Sequence, residues 1–123
     1  MADTNIATDE TDRLIASNKV EGTAVYNRNG DRLGSVYNFM VDKRSGKAEY
    51  AVMSFGGVLG FGEDYHPLPW DVLTYDTDKG GYVVDLDKSQ LEGAPRYSSG
   101  QEPTYDREYG QQVYGYYGVN YPM

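Results

Sequence analysis

The sequence predicts an all-β protein: a small, strongly curved antiparallel barrel with short terminal helical turns. Short runs rich in β-branched and aromatic residues recur between turns that contain Gly, Asn or Asp, and no segment between them has a helical period. Parallel strands need long crossover connections, so no parallel α/β sheet can be built from these short turns. The 123 residues are enough for one domain.

Five segments are predicted to be strands, each ended by a turn. They span residues 20–26, 33–41, 48–55, 65–75 and 82–86. Asn29 and Gly30 supply the two positive-φ residues that a tight hairpin requires. Pro67 and Pro69 lack a backbone N–H, which predicts that the first half of the fourth segment lies at an edge or a barrel corner.

One short helical turn is predicted to close the domain. Ser89 and Glu92 have the spacing of a capping box. Gly93 stands at the expected end of the turn, and Pro95 prevents its continuation.

Composition divides the chain into three parts. Residues 1–14 form an acidic start that we expect to be disordered, followed by at most one helical turn. Residues 15–96 hold nearly all the aliphatic side chains and form the barrel domain. Residues 97–123 contain seven of the thirteen tyrosines and almost no aliphatic residues, and they form a C-terminal arm.

Charge and composition exclude several classes of function. Eleven basic residues against nineteen acidic ones give a net charge of -8, which disfavours nucleic acid and anionic membranes as partners. The absence of cysteine excludes disulfides, thiolate nucleophiles and cysteine zinc sites. The polar start is not a signal peptide, and we expect a cytoplasmic protein without a cofactor.

The second predicted strand is apolar on both faces. Strict alternation would place Leu33, Tyr37, Phe39 and Val41 on one side and Val36 and Met40 on the other. The outer face must then be covered by the C-terminal tail, by a closing strand or by a second copy of the chain.

An ordered set of turns and strands over roughly residues 15–95 resembles the PRC-barrel domain. The matching residues are Gly22-Thr23-Ala24-Val25-Tyr26, Gly30-Asp31-Arg32-Leu33-Gly34-Ser35-Val36, Val41-Asp42, Gly46-Lys47, Tyr50-Ala51-Val52, Gly56-Gly57, Gly60-Phe61-Gly62 and His66-Pro67-Leu68-Pro69-Trp70. The resemblance implies a small, highly curved all-β barrel that binds proteins and is not known as a catalytic fold.

That domain is named for the cytoplasmic part of the photosynthetic reaction-centre H subunit, and it also forms the C-terminal domain of a ribosome-maturation factor. We expect neither the membrane anchor of the first nor the RNA-facing domain of the second here, so neither role transfers directly. Stand-alone bacterial members are similar to this chain in having a short acidic start and a Tyr/Gly-rich tail.

Three motifs are weak signals for chemistry. His66, the single histidine, lacks Asp, Cys or Ser partners at a recognisable spacing, so it is interpreted as an edge or core residue. Asp76 and Asp78 faintly resemble the start of a calcium loop, but a solvated hairpin turn is the better interpretation. Trp70, beside the prolines, is predicted to anchor the core.

The glycine-rich segment 56–62 lacks the strand–helix setting of a phosphate-binding loop, and its glycines are interpreted as a barrel corner. Val58, Leu59 and Phe61 place apolar side chains on this segment. They are expected either to contact a partner or a second copy, or to pack on the chain's own core.

The tail presents tyrosines between flexible glycines, a composition suited to adaptable contacts. Either it is disordered, or it wraps a neighbouring subunit and covers apolar outer faces; the second is favoured because disordered tails are poor in aromatics. The candidate interface residues here are Tyr105, Tyr109, Tyr114, Tyr116 and Tyr117. Stacking on single-stranded nucleic acid is rejected because it needs a basic groove.

These observations predict a non-enzymatic protein-binding or assembly module that forms a homodimer or a higher homo-oligomer. The candidate interface combines the tail tyrosines with Val58, Leu59, Phe61 and His66. The alternative is a carrier of a small molecule or an ion that uses the glycine-rich loop and His66. An enzymatic function comes last, because only scattered Asp, Ser and a single His support it.

Overall fold

One sheet organises the described residues, 14–56, 63–98 and 100–121, of the computed structural model. These residues contain seven strands: β1 (Ala24–Asn27), β2 (Arg32–Val41), β3 (Ala48–Gly56), β4 (Glu63–Pro69), β5 (Thr74–Asp76), β6 (Gly81–Val84) and β7 (Tyr97–Ser98). Three helices accompany them: α1 (Ser17–Val20), α2 (Lys88–Glu92) and α3 (Arg107–Tyr116), with a 3-10 turn at Trp70–Val72. The strand order is β5-β6-β1-β2-β3-β4-β7.

The sheet confirms a mostly-β fold, corrects one detail of the predicted strand pairing, and does not confirm a closed, curved barrel. The pairing of β1 with β6 is parallel, with Val25 opposite Tyr82, whereas the other strand pairs are antiparallel. The parallel pair arises because the chain passes through β2–β5 before it returns beside β1, a connection long enough for a crossover. Within the described residues β5 and β7 are the two ends of an open sheet.

Most predicted strands are present, with shifted bounds. The segments at 33–41 and 48–55 correspond to β2 and β3. The first strand starts later than predicted, because α1 ends at Val20 and buries that side chain in the core. The fourth segment is broken into β4 and β5 by the 3-10 turn at Trp70–Val72.

The two prolines of β4 lie where that strand has one neighbour. Pro67 and Pro69 stand opposite Val52 and Tyr50 of β3. On the other side β7 pairs only with the beginning of β4, at Asp64 and Tyr65. Among the described residues, no strand pairs with Pro67 or Pro69 on the side away from β3, so no ladder on that side needs their missing N–H groups. This confirms the predicted edge position.

Register shifts bend β2 and overturn its predicted faces. Leu33 and Tyr37 each fall between paired residues, where the register with β1 or β3 shifts. Each extra residue reverses the in-and-out alternation and increases the local twist. As a result Leu33, Val36 and Phe39 contact the same core, although strict alternation puts Val36 on the opposite side.

One face of the sheet holds the inner core. Its buried members are Val20, Val25, Leu33, Val36, Met53, Leu68, Tyr82, Val84 and Leu91. Trp70 packs against this core, with its ring 5.9 Å from the ring of Phe39 and 5.9 Å from that of Tyr82. The prediction that Trp70 anchors the core is confirmed.

The N-cap of helix α2 lies two residues before the predicted one. Asp87 is the N-cap, and its carboxylate accepts the backbone N–H of Gln90 at 2.9 Å and the hydroxyl of Ser89 at 2.7 Å. The Gln90 side chain completes the capping box by accepting the N–H of Asp87. The predicted box on Ser89 was wrong because the carboxylate binds the helix N–H groups and Ser89 itself. Gly93 ends the helix as predicted.

The turn between β5 and β6 is the solvated hairpin that was preferred over a calcium loop. Asp76 pairs with Gly81 across the two strands. The Asp76 carboxylate accepts the backbone N–H groups of Asp78 at 2.9 Å and Lys79 at 3.3 Å. Its oxygen thereby closes the turn locally.

Substitution of Gly34 tests how closely β2 and β3 approach each other. A Cβ at this position would lie 2.2 Å from the backbone oxygen of Ser54, so Gly34→Ala should lower the free energy of unfolding by about 2 kcal/mol. Gly115→Ala is the control, because a Cβ there has nothing within 4 Å and should stabilise α3 by about 0.5–1 kcal/mol. Urea unfolding measures both; equal values would contradict the tight contact.

Candidate functional site: a row of tyrosines on the outer face

The C-terminal arm folds back onto the outer face of its own sheet. Asp106 is the N-cap of helix α3, and its side chain accepts the N–H of Tyr109 at 2.9 Å. Its buried residues include Val113 and Tyr114, which form a cluster with Tyr50 of β3. The tail therefore covers this part of the outer face. The alternative that the tail is disordered is wrong for the described residues of the arm.

Hydrogen bonds and close packing fix the arm in place. The hydroxyl of Tyr114 donates to the carbonyl oxygen of Glu49 in β3 at 2.5 Å. The hydroxyl of Tyr116 donates to the carbonyl oxygen of Gln90 in α2 at 2.6 Å. Farther along, the ring of Tyr121 packs so closely on Gly110 that a Cβ there would lie 2.2 Å from it.

Eight tyrosines from the sheet and the arm make one connected row, here called the tyrosine row. Its members are Tyr37, Tyr65, Tyr97, Tyr105, Tyr50, Tyr109, Tyr114 and Tyr121. Six pairs of these rings have centroids 4.6 to 5.6 Å apart. A 3.1 Å hydrogen bond joins the hydroxyls of Tyr97 and Tyr105. Tilted and edge-on ring pairs at such distances add about 0.5–1.5 kcal/mol each beyond their buried area.

Burial keeps four tyrosines of the row uncharged at physiological pH. Burial raises the pKa of Tyr109 and of Tyr114 to about 12. Burial raises the pKa of Tyr50 and Tyr105 further in the same direction. These side chains therefore act as neutral rings and hydroxyls, suited to packing and hydrogen bonding rather than to phenolate chemistry.

A small cleft opens at the sheet end of the row, and we name it the tyrosine cleft. It is lined by Tyr37, Asn38, Tyr65, Tyr97, Gly100 and Glu102, and its volume is about 130 Å³. Tyr37 is 51% exposed there. Burial, opposed by the hydrogen bond from Tyr105, raises the pKa of Tyr97, and the charge of Glu102 raises it further.

A second and larger groove of about 560 Å³ lies beside the free edge of β5. Its lining includes Arg28 and Lys79 together with Asp76 and Asp85. Arg28 and Asp85 form an exposed ion pair at 3.5 Å. The two signs of charge balance in this groove, so it has no evident preference for an anion or a cation.

His66 lies inside the protein rather than at a surface. Its side chain is 1% exposed, and its ring meets that of Phe55 edge-on with centroids 5.6 Å apart. Both ring nitrogens are buried without a hydrogen-bond partner. Burial, and then the charge of Arg96, lowers the pKa of His66 to about 4 against an opposing effect of Asp64, so the imidazole is neutral at physiological pH.

The remaining predicted interface residues have different surroundings. Val58, Leu59 and Phe61 lie outside the described residues. Within the arm Tyr114 is buried, Tyr116 is exposed, and Tyr105, Tyr109 and Tyr117 are half-buried. Their contact with another subunit stays a prediction.

Sequence reasoning missed the sheet half of the tyrosine row. Tyr37, Tyr65 and Tyr97 come from three different strands, and only the strand order brings them together. Tyr50 carried a signal, because it opens an apolar run of four residues in β3 that one buried face could not accommodate.

Comparison with protein families identifies the fold. The family model of the PRC-barrel domain matches residues 12–91, well over half of the chain, and the protein belongs to this family. A search of curated proteins finds no match. The family match ends before the arm, so five of the eight tyrosines of the row lie outside the matched span.

Two further observations on the described residues concern membrane-spanning helices and metal-binding groups. In the parts of the chain that the structure describes, no helix is long and apolar enough to span a bilayer. Across 14–56, 63–98 and 100–121, no group of three or more His, Cys, Asp or Glu side chains is arranged to hold a metal ion.

The anchoring of the arm can be tested by removing one hydroxyl. Tyr114→Phe leaves the part-buried carbonyl of Glu49 without its donor, so the free energy of unfolding should fall by about 1 kcal/mol. Tyr116→Phe is the matched control, since its hydrogen bond is exposed and water can replace it. Urea denaturation should show a smaller loss for Tyr116→Phe; equal losses would argue against a specific anchor at β3.

Burial of neutral His66 predicts a pH dependence of stability. The unfolded chain, with a His pKa near 6.5, binds more protons than the folded chain, with its pKa of about 4. Stability from this group is present above pH 6.5 and is lost as the pH falls towards 4, by up to about 3 kcal/mol.

The variant His66→Leu should remove this part of the dependence without leaving an unpaired partner, because the ring nitrogens have none. Urea unfolding of both proteins between pH 7 and about pH 4.5 isolates the effect of His66, since the carboxylates are common to both. Parallel stability profiles would show that His66 is not buried as a neutral ring.

Proposed function

We propose that this PRC-barrel protein is a non-enzymatic binding module that associates with proteins through the outer face of its sheet, and that its first partner is a second copy of the chain. One observation carries the proposal. Tyr37, on β2, the central strand of the sheet, is 51% exposed on the outer face, where the arm does not cover it. A large exposed aromatic ring at the centre of a sheet face is typical of interfaces.

The surroundings of this face support a contact surface. Tyr37 is held by the adjacent ring of Tyr65 at 4.6 Å, so its position is fixed before a partner arrives. A fixed aromatic ring loses little conformational entropy on binding. A two-fold pair of copies would bring Tyr37 against Tyr37 of the other copy, the self-complementary contact of a symmetric dimer.

The test is the solution mass of the full chain, measured by light scattering over a wide range of concentration. The variant Tyr37→Asp places a charge at an exposed position of the outer face and should become a monomer. The control Tyr37→Phe keeps the ring and the strand propensity and should associate like the natural chain.

If the natural chain remains a monomer at every concentration, a second copy of the chain is excluded as the partner. If the Tyr37→Asp variant then also retained every protein that the natural chain captures from cell extract, the outer face would not be a binding surface. Circular dichroism of each variant ensures that a loss of association is not a loss of fold.

A further inference from the structure

We propose that the tyrosine cleft is a binding site for an organic cation head group, an alkylated ammonium or a guanidinium. This inference goes beyond the proposed function, and Tyr37 belongs both to the cleft and to the outer face. Three aromatic rings in its lining, those of Tyr37, Tyr65 and Tyr97, come from β2, β4 and β7. Cations bind to tyrosine rings because the ring faces carry negative electrostatic potential, and several rings around one small cavity form the aromatic cage that recognises alkylated ammonium groups.

The geometry of the rings fits such a cage better than it fits a closed stack. The ring planes of Tyr37 and Tyr65 are tilted by 44°, and those of Tyr65 and Tyr97 by 35°. Rings tilted in this way do not cover one another completely, so ring surface remains for a ligand in the cavity that all three line. Tyr97 is held in place by its hydrogen bond to Tyr105.

The polar groups of the cleft favour positive charge. Glu102 supplies a carboxylate, and the Oδ1 atom of Asn38 is a buried acceptor without a hydrogen-bond partner. An N–H of a guanidinium or ammonium group would satisfy that acceptor. Arg96, on the same edge of the sheet, is paired with Asp64 at 3.3 Å, and the whole chain carries a net charge of -8.

The size of the cleft limits the ligand to a head group. Its volume of about 130 Å³ is well below the roughly 300 Å³ at which pockets for whole metabolites begin. The group can belong to a small quaternary or substituted cation, or to a lysine or arginine side chain of a protein. Both sources present the same kind of cationic group. Their binding affinities distinguish them in the experiment below.

The experiment is a titration of the full chain, followed by ¹H–¹⁵N NMR. The probes are tetramethylammonium and methylguanidinium chloride, with tert-butanol and methylurea as neutral isosteres and sodium chloride as the ionic-strength control. We expect saturable shifts at residues 37, 97 and 100–102, with a dissociation constant on the order of millimolar for at least one organic cation, and no saturable shift with the neutral compounds.

Two pairs of variants identify the groups responsible. Tyr37→Leu removes an exposed ring and should weaken binding roughly two- to fivefold, whereas Tyr37→Phe should retain it. Glu102→Gln should weaken binding by a similar factor, whereas Glu21→Gln, which removes an exposed charge next to α1, should have no effect.

An arginine tripeptide with blocked ends distinguishes the sources. Tighter binding of the tripeptide than of methylguanidinium assigns the site to a protein side chain, and weaker binding assigns it to a small cation. The proposal is overturned if no cation gives a saturable shift, if the neutral isosteres shift the same residues equally, or if Glu102→Gln binds like the natural chain.

Discussion

Burial of both faces of β3 is the constraint on which the rest of the structure depends. Its residues 50–53 are all at most 2% exposed. Because successive side chains of a strand point to opposite faces, four such residues in a row require cover on both sides. Met53 contributes to the inner core, while Tyr50 lies under Val113 and Tyr114 of the arm. Tyr117 packs against both groups and joins them.

This constraint explains why the family domain alone does not account for the site. The matched residues supply six of the seven strands that the structure describes, with Tyr37, Tyr50 and Tyr65 on them. The arm adds the rings that continue the row, and it leaves open the part of the outer face around Tyr37. The exposed face and the tyrosine cleft therefore both lie where the cover by the arm stops.

Much of the fold was predictable from local patterns. The β-branched runs located β2 and β3, and Asp and Gly located the turns, because these preferences act within a few residues. The parallel pairing of β1 with β6 and the bulges at Leu33 and Tyr37 depend on which strands meet in space, and no local pattern encodes that. The tyrosine cleft escaped prediction for the same reason, since three strands and the start of the arm each contribute to it.

The fold-back of the arm onto its own chain is tested most directly by an isotope-filtered nuclear Overhauser experiment on an equal mixture of labelled and unlabelled full-length protein. The structure places Val113 and the ring of Tyr50 in one buried cluster of a single chain. We predict strong effects between the Val113 methyl groups and the Tyr50 ring within labelled chains, and none between labelled and unlabelled chains. Effects seen only between chains, or none at Tyr50, would contradict an arm that covers its own sheet.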